Sequence, residues 1–187
     1  VFSTVFSVEW QDRKLNFIDC PGSDDFVGGA VSALNVTDTA LMVLNAQYGV
    51  EVGTINQFRY TEQFHKPVIF VVNQLDNDKA DYEGTIAQLK DRWGSKIVPI
   101  QYPITCGSSF NAVVDVLKMK MYRWKPEGGV PDVLEIPAEE MDKAMEMHQA
   151  LVEAAAEHDD VLMERFFEEG ALSEDDMRAG IRAGLVT

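Results

Sequence analysis

The sequence LNFIDCPGSDDF at residues 15–26, together with VIFVVNQLD at residues 68–76, decides the fold class of this chain. In each stretch a mostly apolar run, typical of a strand, ends on polar residues: Asp19–Gly22 in the first and Asn73–Asp76 in the second. In open α/β sheets, ligands bind outside the carboxyl ends of the strands. Two polar loops of this kind therefore predict one nucleotide site at one edge of a sheet.

The segments around these loops alternate between strand and helix patterns. Helices are predicted over 25–37, 51–64 and 81–92, and buried strands over 39–44 and 68–72. This alternation favours a mainly parallel sheet covered on both faces, which is an α/β fold. Phe6, Val8 and Trp10 alternate with polar residues, as in a half-buried strand, and a return strand follows over 15–18. This hairpin is predicted to be the antiparallel edge of the sheet.

The pattern changes after Trp93. Short strands with intervening turns are predicted over 97–104, 113–116, 119–124 and 133–136. From Ala138 onward the apolar spacing becomes helical, which predicts three helices. We therefore predict two parts, residues 1–94 and residues 95–187, of which the second is a small α+β subdomain with C-terminal helices.

Local signals mark the ends of the last helices. A helix over 159–168 is predicted to end near Gly170, since glycine is the usual residue after a helix. Ser173, followed three residues later by Asp176, resembles a capping box that opens the next helix.

Composition and charge limit the possible partners. The chain carries 31 acidic and 16 basic residues, a net charge of −15, and residues 138–187 alone hold 14 acids and 4 bases. Phosphate backbone would repel such a surface, so we expect no direct contact with nucleic acid; a solvated face or a basic protein partner fits the acidic stretch better. No apolar run approaches the roughly 20 residues of a membrane helix, so no membrane association is expected. Cys20 and Cys106 form no disulfide framework or metal motif, which indicates free thiols in a reducing cytoplasm.

The first loop has the chemistry of a phosphate and magnesium site. A carboxylate at the end of a strand, such as that of Asp19, can hold Mg²⁺ through water, because Mg²⁺ keeps much of its hydration shell. Gly22 lets the backbone approach a phosphate closely and offer its N–H group. The alternative is an ordinary turn between a strand and a helix, in which Pro21 and Gly22 are simply turn residues.

The second loop has the chemistry of a base-recognition site. The carboxylate of Asp76 can accept two parallel N–H bonds from a planar donor edge, which guanine presents and adenine does not. The amide of Asn73 can both donate and accept, so it suits the other edge of the ring or can brace the loop. The alternative is that both residues are ordinary loop residues, where Asn and Asp are common.

Four segments resemble a known family. LNFIDCPGSDDF is similar to the D-T-P-G-H-V-D-F segment of translational GTPases, and VIFVVNQLD is similar to their N-K-x-D segment. The segments at 113–124 (VVDVLKMKMYRW) and 136–184 resemble the inserted G′ subdomain of bacterial elongation factor G and its closing helices. The resemblance implies that residues 1–94 are the distal part of a GTP-binding (G) domain and that residues 95–187 are its G′-like insert. The sheet would be P-loop-NTPase-like, but would lack the phosphate-loop strand.

The resemblance also implies roles for four residues. Asp19 would be the magnesium-linked aspartate and Gly22 the γ-phosphate sensor, while Asn73 and Asp76 would read guanine. The phosphate loop G-x-x-x-x-G-K-S/T does not occur in the sequence, and the family pattern places it before Val1. We therefore expect GTP or GDP and Mg²⁺ to be cofactors of a longer parent protein, and very weak GTP binding and no activity by these residues alone.

Two positions depart from the family pattern. Ser23 stands where the family has the histidine that positions the attacking water, and serine cannot supply an imidazole's charge near neutral pH. Losing such a group typically costs about 10²–10⁴-fold in rate, so slow or absent GTP hydrolysis is expected in the parent. Gln74 stands where the family has lysine, whose stem covers the base, so guanine is expected to be held less tightly.

The implied function is that of an elongation-factor-G-like protein, which binds GTP and the ribosome and promotes movement of tRNA and mRNA. The resemblance also implies that the insert contacts a ribosomal stalk protein. Three alternatives stay open. The parent could be a ribosome-binding paralogue that does not hydrolyse GTP and uses it as a regulatory ligand, a tetracycline-resistance ribosomal protection protein, or a release-factor-type GTPase.

Overall fold

The structure, a computed structural model, describes residues 2–157 and 159–186, with the side chains of 169, 185 and 186 left aside. It divides into two compact units. Unit 1 comprises Val1–Leu44 and Val50–Val71, and unit 2 comprises Asn45–Gly49 and Val72–Thr187. This division concerns compactness, so the domain boundary predicted between 1–94 and 95–187 stays a prediction.

Unit 1 begins with an antiparallel hairpin of β1 (Thr4–Trp10) and β2 (Arg13–Asp19). The two-residue turn at Gln11 and Asp12 has positive φ at both positions, as in the hairpin turns whose twist matches that of the strands. Phe6 and Phe17 face each other in the register and stack at 5.2 Å between ring centroids.

The placement predicted for this hairpin was wrong. Among the described residues, β1 and β2 pair only with each other and form a sheet of their own, rather than the edge of the parallel sheet. Every residue of β1 is exposed, and Trp10 keeps 65% of its surface accessible. Alternation of apolar and polar residues indicates a strand, but it does not specify which strand lies beside it or what covers its apolar face.

The remainder of unit 1 alternates between strand and helix. A 3₁₀ turn at Asp24–Phe26 leads into α1 (Val27–Leu34), and α2 (Val52–Gln63) lies between β3 (Ala40–Asn45) and β4 (Val68–Asn73). β3 and β4 form a two-stranded sheet. The amide of Ala40 donates to Pro67, and six residues later that of Ala46 donates to Asn73, so the two strands are parallel.

Unit 2 contains a helix, an antiparallel sheet and three further helices. α3 (Tyr82–Trp93) is followed by β5 (Gln101–Pro103), β6 (Ala112–Asp115), β7 (Lys120–Arg123) and β8 (Asp132–Leu134), paired in that order. α4 (Ala138–Ala156), α5 (Asp160–Glu169) and α6 (Glu174–Val186) complete the chain as the structure describes it. The fold is thus the mixed α/β arrangement that the sequence predicted, with a parallel strand pair, helices and an antiparallel four-stranded sheet.

The core of unit 2 lies between its sheet and α4. Tyr102, Val114 and Val116 from the sheet region are almost completely buried with Ala144 and Leu151 of α4. A second cluster joins α4, α5 and α6. The methionines of α4 differ in burial: Met141 and Met147 pack against the first cluster, whereas Met145 is exposed.

The predicted helix ends are confirmed. Gly170 follows α5 with a φ of 71°, and its amide donates to the carbonyl of Phe166. The hydroxyl oxygen of Ser173 accepts a hydrogen bond from the amide of Asp176, whose carboxylate accepts from the amide and hydroxyl of Ser173. The capping box predicted at the start of α6 is therefore present.

Candidate functional site

The first predicted loop, in unit 1, leaves its key groups accessible. Asp19 is the last residue of β2, and its side chain is exposed, with no hydrogen bond to any described residue. Gly22 is exposed as well, and a Cβ atom placed on it would meet nothing within 4 Å. Nothing in unit 1 therefore requires glycine there, and open space lies beside this backbone. An exposed carboxylate without a hydrogen-bond partner, in the same loop as open backbone, fits a cation held through water and a closely approaching phosphate.

The residues after this loop are tied to α2. The carbonyl of Ser23 accepts a hydrogen bond from the amide of Phe26 at 2.9 Å, while its hydroxyl makes no capping bond. The carboxylate of Asp24 accepts a hydrogen bond from the side-chain amide of Asn56 at 3.0 Å. Asp24 and Asn56 border an open cleft of about 390 Å³, which Val27, Arg59, Tyr60 and Gln63 also line. Asp24 is therefore already engaged, whereas the Ser23 hydroxyl is open.

The second predicted loop follows β4 and lies in unit 2. The carbonyl of Asn73 accepts a hydrogen bond from the amide of Ala46, and its side chain is exposed at the end of the strand. Gln74 has a φ of 58°, a conformation that is uncommon for a residue other than glycine. Asp76 is exposed, and its carboxylate makes no hydrogen bond to the described residues. Asn73 and Asp76 thus share one loop and both face solvent.

A turn that sequence reasoning missed supports this loop from the following segment. The amide of Gly107 donates to the carbonyl of Leu75 at 2.8 Å, and the amide of Ser108 donates to the carboxylate of Asp78 at 3.1 Å. Gly107 has a φ of 81°, which glycine adopts without strain. The glycine between two polar residues in TCGSS was a turn signal, but the partner of that turn is 32 residues away.

A network of side-chain amides, also missed, supports the loop from β3. The amide nitrogen of Asn45 donates to the amide oxygen of Gln74 at 2.8 Å, and the Asn45 oxygen accepts from the backbone amide of Gln47 at 2.8 Å. The side chain of Asn77 donates to that of Gln47 at 3.3 Å. The amide of Asp81, the N-cap residue of α3, donates to the carbonyl of Ala46 at 2.8 Å. The Asn45–Gln74 and Asn77–Gln47 contacts join residues 29 and 30 positions apart, so no short-range sequence pattern marks them.

Burial and neighbouring acidic residues favour structural roles for two tyrosines of unit 2. Burial, together with the nearby Glu83, raises the pKa of Tyr82, whose hydroxyl donates to the carbonyl of Gln101 at 2.7 Å. Burial and the neighbouring Glu140 likewise raise the pKa of Tyr102. Both hydroxyls therefore stay protonated near neutral pH. Across the described residues, no group of three or more His, Cys, Asp or Glu side chains is arranged to hold a metal ion directly.

The predicted site residues fall into two groups. Asp19, Gly22 and Ser23 lie in unit 1, and Asn73 and Asp76 lie in unit 2. Within each group the residues share one loop directly after a strand. No helix in the described part of the chain is both long and apolar enough to cross a membrane.

These strands, helices and loops define a class: a mixed α/β nucleotide-binding domain of the translation-factor type. The sequence model of the family described as "Elongation factor Tu GTP binding domain" matches residues 1–161, and the chain belongs to this family. It is therefore a GTP-binding domain of the elongation-factor type, and this family uses guanine nucleotide with Mg²⁺.

A solved structure supports the same fold. A crystal structure of a protein from Thermus thermophilus matches with a TM-score of 0.87 and 29% sequence identity. The match covers 98% of this chain and 28% of the Thermus chain. The chain thus spans less than a third of the length of that protein.

Proposed function

We propose that this chain is the distal part of the G domain, with its insert, of an elongation-factor-G-type protein that promotes movement of tRNA and mRNA on the ribosome. The observation that carries the proposal is the loop of Asn73 and Asp76, held on both sides yet open at the two side chains that would read guanine. The family match supports GTP as the ligand. The four-stranded sheet and three helices of unit 2 support the insert.

In this proposal each loop supplies the chemistry that recognises a different part of a guanine nucleotide. The carboxylate of Asp76 accepts hydrogen bonds from N1–H and the 2-amino group of guanine, and the amide of Asn73 bonds the other edge of the ring. Asp19 would hold Mg²⁺ through water, and the backbone amide of Gly22 would donate to the γ-phosphate. When bound, the ion neutralises phosphate charge. The protein would work in the cytoplasm with the ribosome, the insert contacting a stalk protein.

Changing Asp76 tests guanine recognition directly. Asp76→Asn replaces an acceptor oxygen with an N–H donor, which suits the C2 oxygen of xanthine and opposes the 2-amino group of guanine. Because one charge-assisted bond is lost and the other becomes a weaker neutral bond, GDP affinity of the intact protein should fall about 100-fold, and xanthosine diphosphate should become the better ligand.

Fluorescence titration with both nucleotides measures this change. Asp91→Asn, the same substitution on the exposed face of α3, is the matched control and should keep the preference for GDP. Unchanged GDP affinity in Asp76→Asn would refute the assignment of this loop to guanine.

Ser23 supports a second candidate, a ribosome-binding paralogue that uses GTP as a regulatory ligand without hydrolysing it. The Ser23 hydroxyl is short, and Asp24, the adjacent carboxylate, is engaged by Asn56. The position of the family histidine therefore carries no imidazole, and the carboxylate directly after it already accepts a hydrogen bond. Ribosome-stimulated GTP hydrolysis by the intact protein, measured beside Ser23→His, separates the candidates. Rapid hydrolysis by the native protein supports the translocating GTPase, whereas an inert native protein with an active variant supports the paralogue.

A further inference from the structure

We propose that Asn45 is a positioning residue for guanine recognition, and that it acts by holding Gln74 at the start of the loop that carries Asp76. This inference rests on the proposed function of that loop. It assigns a role to a residue at the end of β3, outside both sequence motifs.

The backbone at Gln74 needs a partner to hold it. Its φ of 58° lies in the left-handed region, which is costly for a residue with a side chain and persists where surrounding contacts fix it. Two contacts do so: the carbonyl of Gln74 accepts from the amide of Asn77 at 3.1 Å, and its side chain accepts from Asn45 at 2.8 Å. The Asn45 contact joins the ends of two neighbouring strands, so it fixes where the loop leaves the sheet.

Asn45 uses both ends of its amide group. The nitrogen donates to Gln74, and the oxygen accepts from the backbone amide of Gln47. Asn45 is half-buried, so an aliphatic side chain of the same size would leave the Gln74 side chain and the Gln47 amide without these hydrogen bonds.

The loop is then fixed at three points around Asp76. Asn45 holds Gln74, the amide of Gly107 holds the carbonyl of Leu75, and the amide of Ser108 holds the carboxylate of Asp78. Asp76 lies between these points with its own carboxylate free. The direction of the Asp76 side chain therefore depends on these supports, and of the three contacts the one at Gln74 is the contact between two side chains. Losing it should impair the reading of the 2-amino group more than general affinity for nucleotide.

The amide pair makes a reciprocal test possible. In Asn45→Asp, the Gln74 amide can rotate and donate to the new carboxylate; in Gln74→Glu, the new carboxylate can accept from Asn45. In the double variant two carboxylates face each other with no donor between them. Asn45→Leu and Gln74→Met preserve size and remove the bond. Asn111→Leu is the matched control, because Asn111 is exposed and its side chain bonds no described residue.

The measurement is affinity of the intact protein for GDP and for inosine diphosphate, which lacks the 2-amino group. Each single charged variant should bind GDP within about twofold of native, while Asn45→Leu and Gln74→Met should bind about 3- to 10-fold more weakly. The GDP affinity of the double charged variant should fall by more than the product of the fold-changes in the two single variants. The ratio of GDP to inosine diphosphate affinity should fall in Asn45→Leu and stay native in Asn111→Leu.

The outcomes separate the inference from the function on which it rests. If the native protein binds GDP and Asn45→Leu keeps native affinity and the native ratio, the positioning role is wrong and the guanine site stands. Equal weakening for both nucleotides would reduce Asn45 to a general structural role and also overturn the inference. If the native protein does not discriminate GDP from inosine diphosphate, the proposed function fails and the inference fails with it. Thermal unfolding of each variant establishes that the variant is folded at the temperature of the affinity measurement.

Discussion

The contact between α4 and α6 yields a stability prediction whose size follows from one distance. A Cβ atom added to Gly180 of α6 would lie 2.1 Å from the carbonyl oxygen of Ala155 in α4. This obstacle is backbone in the core of unit 2, and Ala155 is fully buried, so neither partner can rotate away. Gly180→Ala must therefore push the helices apart by on the order of an ångström, and such overpacking typically costs about 1–3 kcal/mol.

The same substitution carries an opposing gain. Alanine is better than glycine inside a helix by about 1 kcal/mol, which offsets part of the cost. We expect a net loss of up to about 2 kcal/mol, or up to about 8 °C in Tm for a chain of this size. Gly53→Ala in α2 is the matched control, because a Cβ atom there would meet nothing within 4 Å. It should raise Tm by about 2–4 °C.

Thermal unfolding of the two variants and of the native protein measures these differences in Tm. A Gly180→Ala variant that gains stability as Gly53→Ala does would refute the close approach of α4 and α6. The two substitutions are chemically identical, so a difference of sign between them can come only from their surroundings.

Two further predictions concern charge and catalysis. Hydrogen bonds from Ser173 and Arg165 lower the pKa of Asp176 below its usual value of 3.8, so its contribution to stability is present above that value and is lost as pH falls through the lowered pKa. The difference in Tm between native protein and Asp176→Asn should therefore shrink as pH falls from about 6 to about 3, and a constant difference would contradict it. In the ribosome assay, Ser23→His should raise GTP hydrolysis about 100-fold if Ser23 limits the reaction, with Asp24 and Asn56 left native.

The sequence predicted the positions of helices and strands more accurately than it predicted which strands lie side by side in a sheet. The positions of the helices and of most strands, the cap at Gly170 and the capping box at Ser173 all depend on residues a few positions apart, and the structure confirms them. The hairpin of β1 and β2 was also found, but its place in the sheet was predicted wrongly. Sheet neighbours depend on contacts between distant segments, which local alternation does not encode.

The candidate site shows the same limit. The motifs around Asp19 and Asn73 were readable because each follows an apolar run, and their roles stay predictions. Asn45 and Gly107 could not be found in this way. Asn45 bonds a residue 29 positions away, and Gly107 bonds one 32 positions away, so only the folded chain brings each pair together.

The aspartates after β4 show what the structure adds to the chemistry of a motif. Asp76, Asp78 and Asp81 follow one another at short spacing, and sequence alone gives each the same carboxylate. Asp78 accepts from the amide of Ser108, and Asp81 accepts from the amide of Gly84 at the start of α3. Both are occupied in holding the loop and the helix. Among these three, Asp76 alone keeps its oxygens open, so the loop itself separates the carboxylate that can bind a ligand from those that hold it in place.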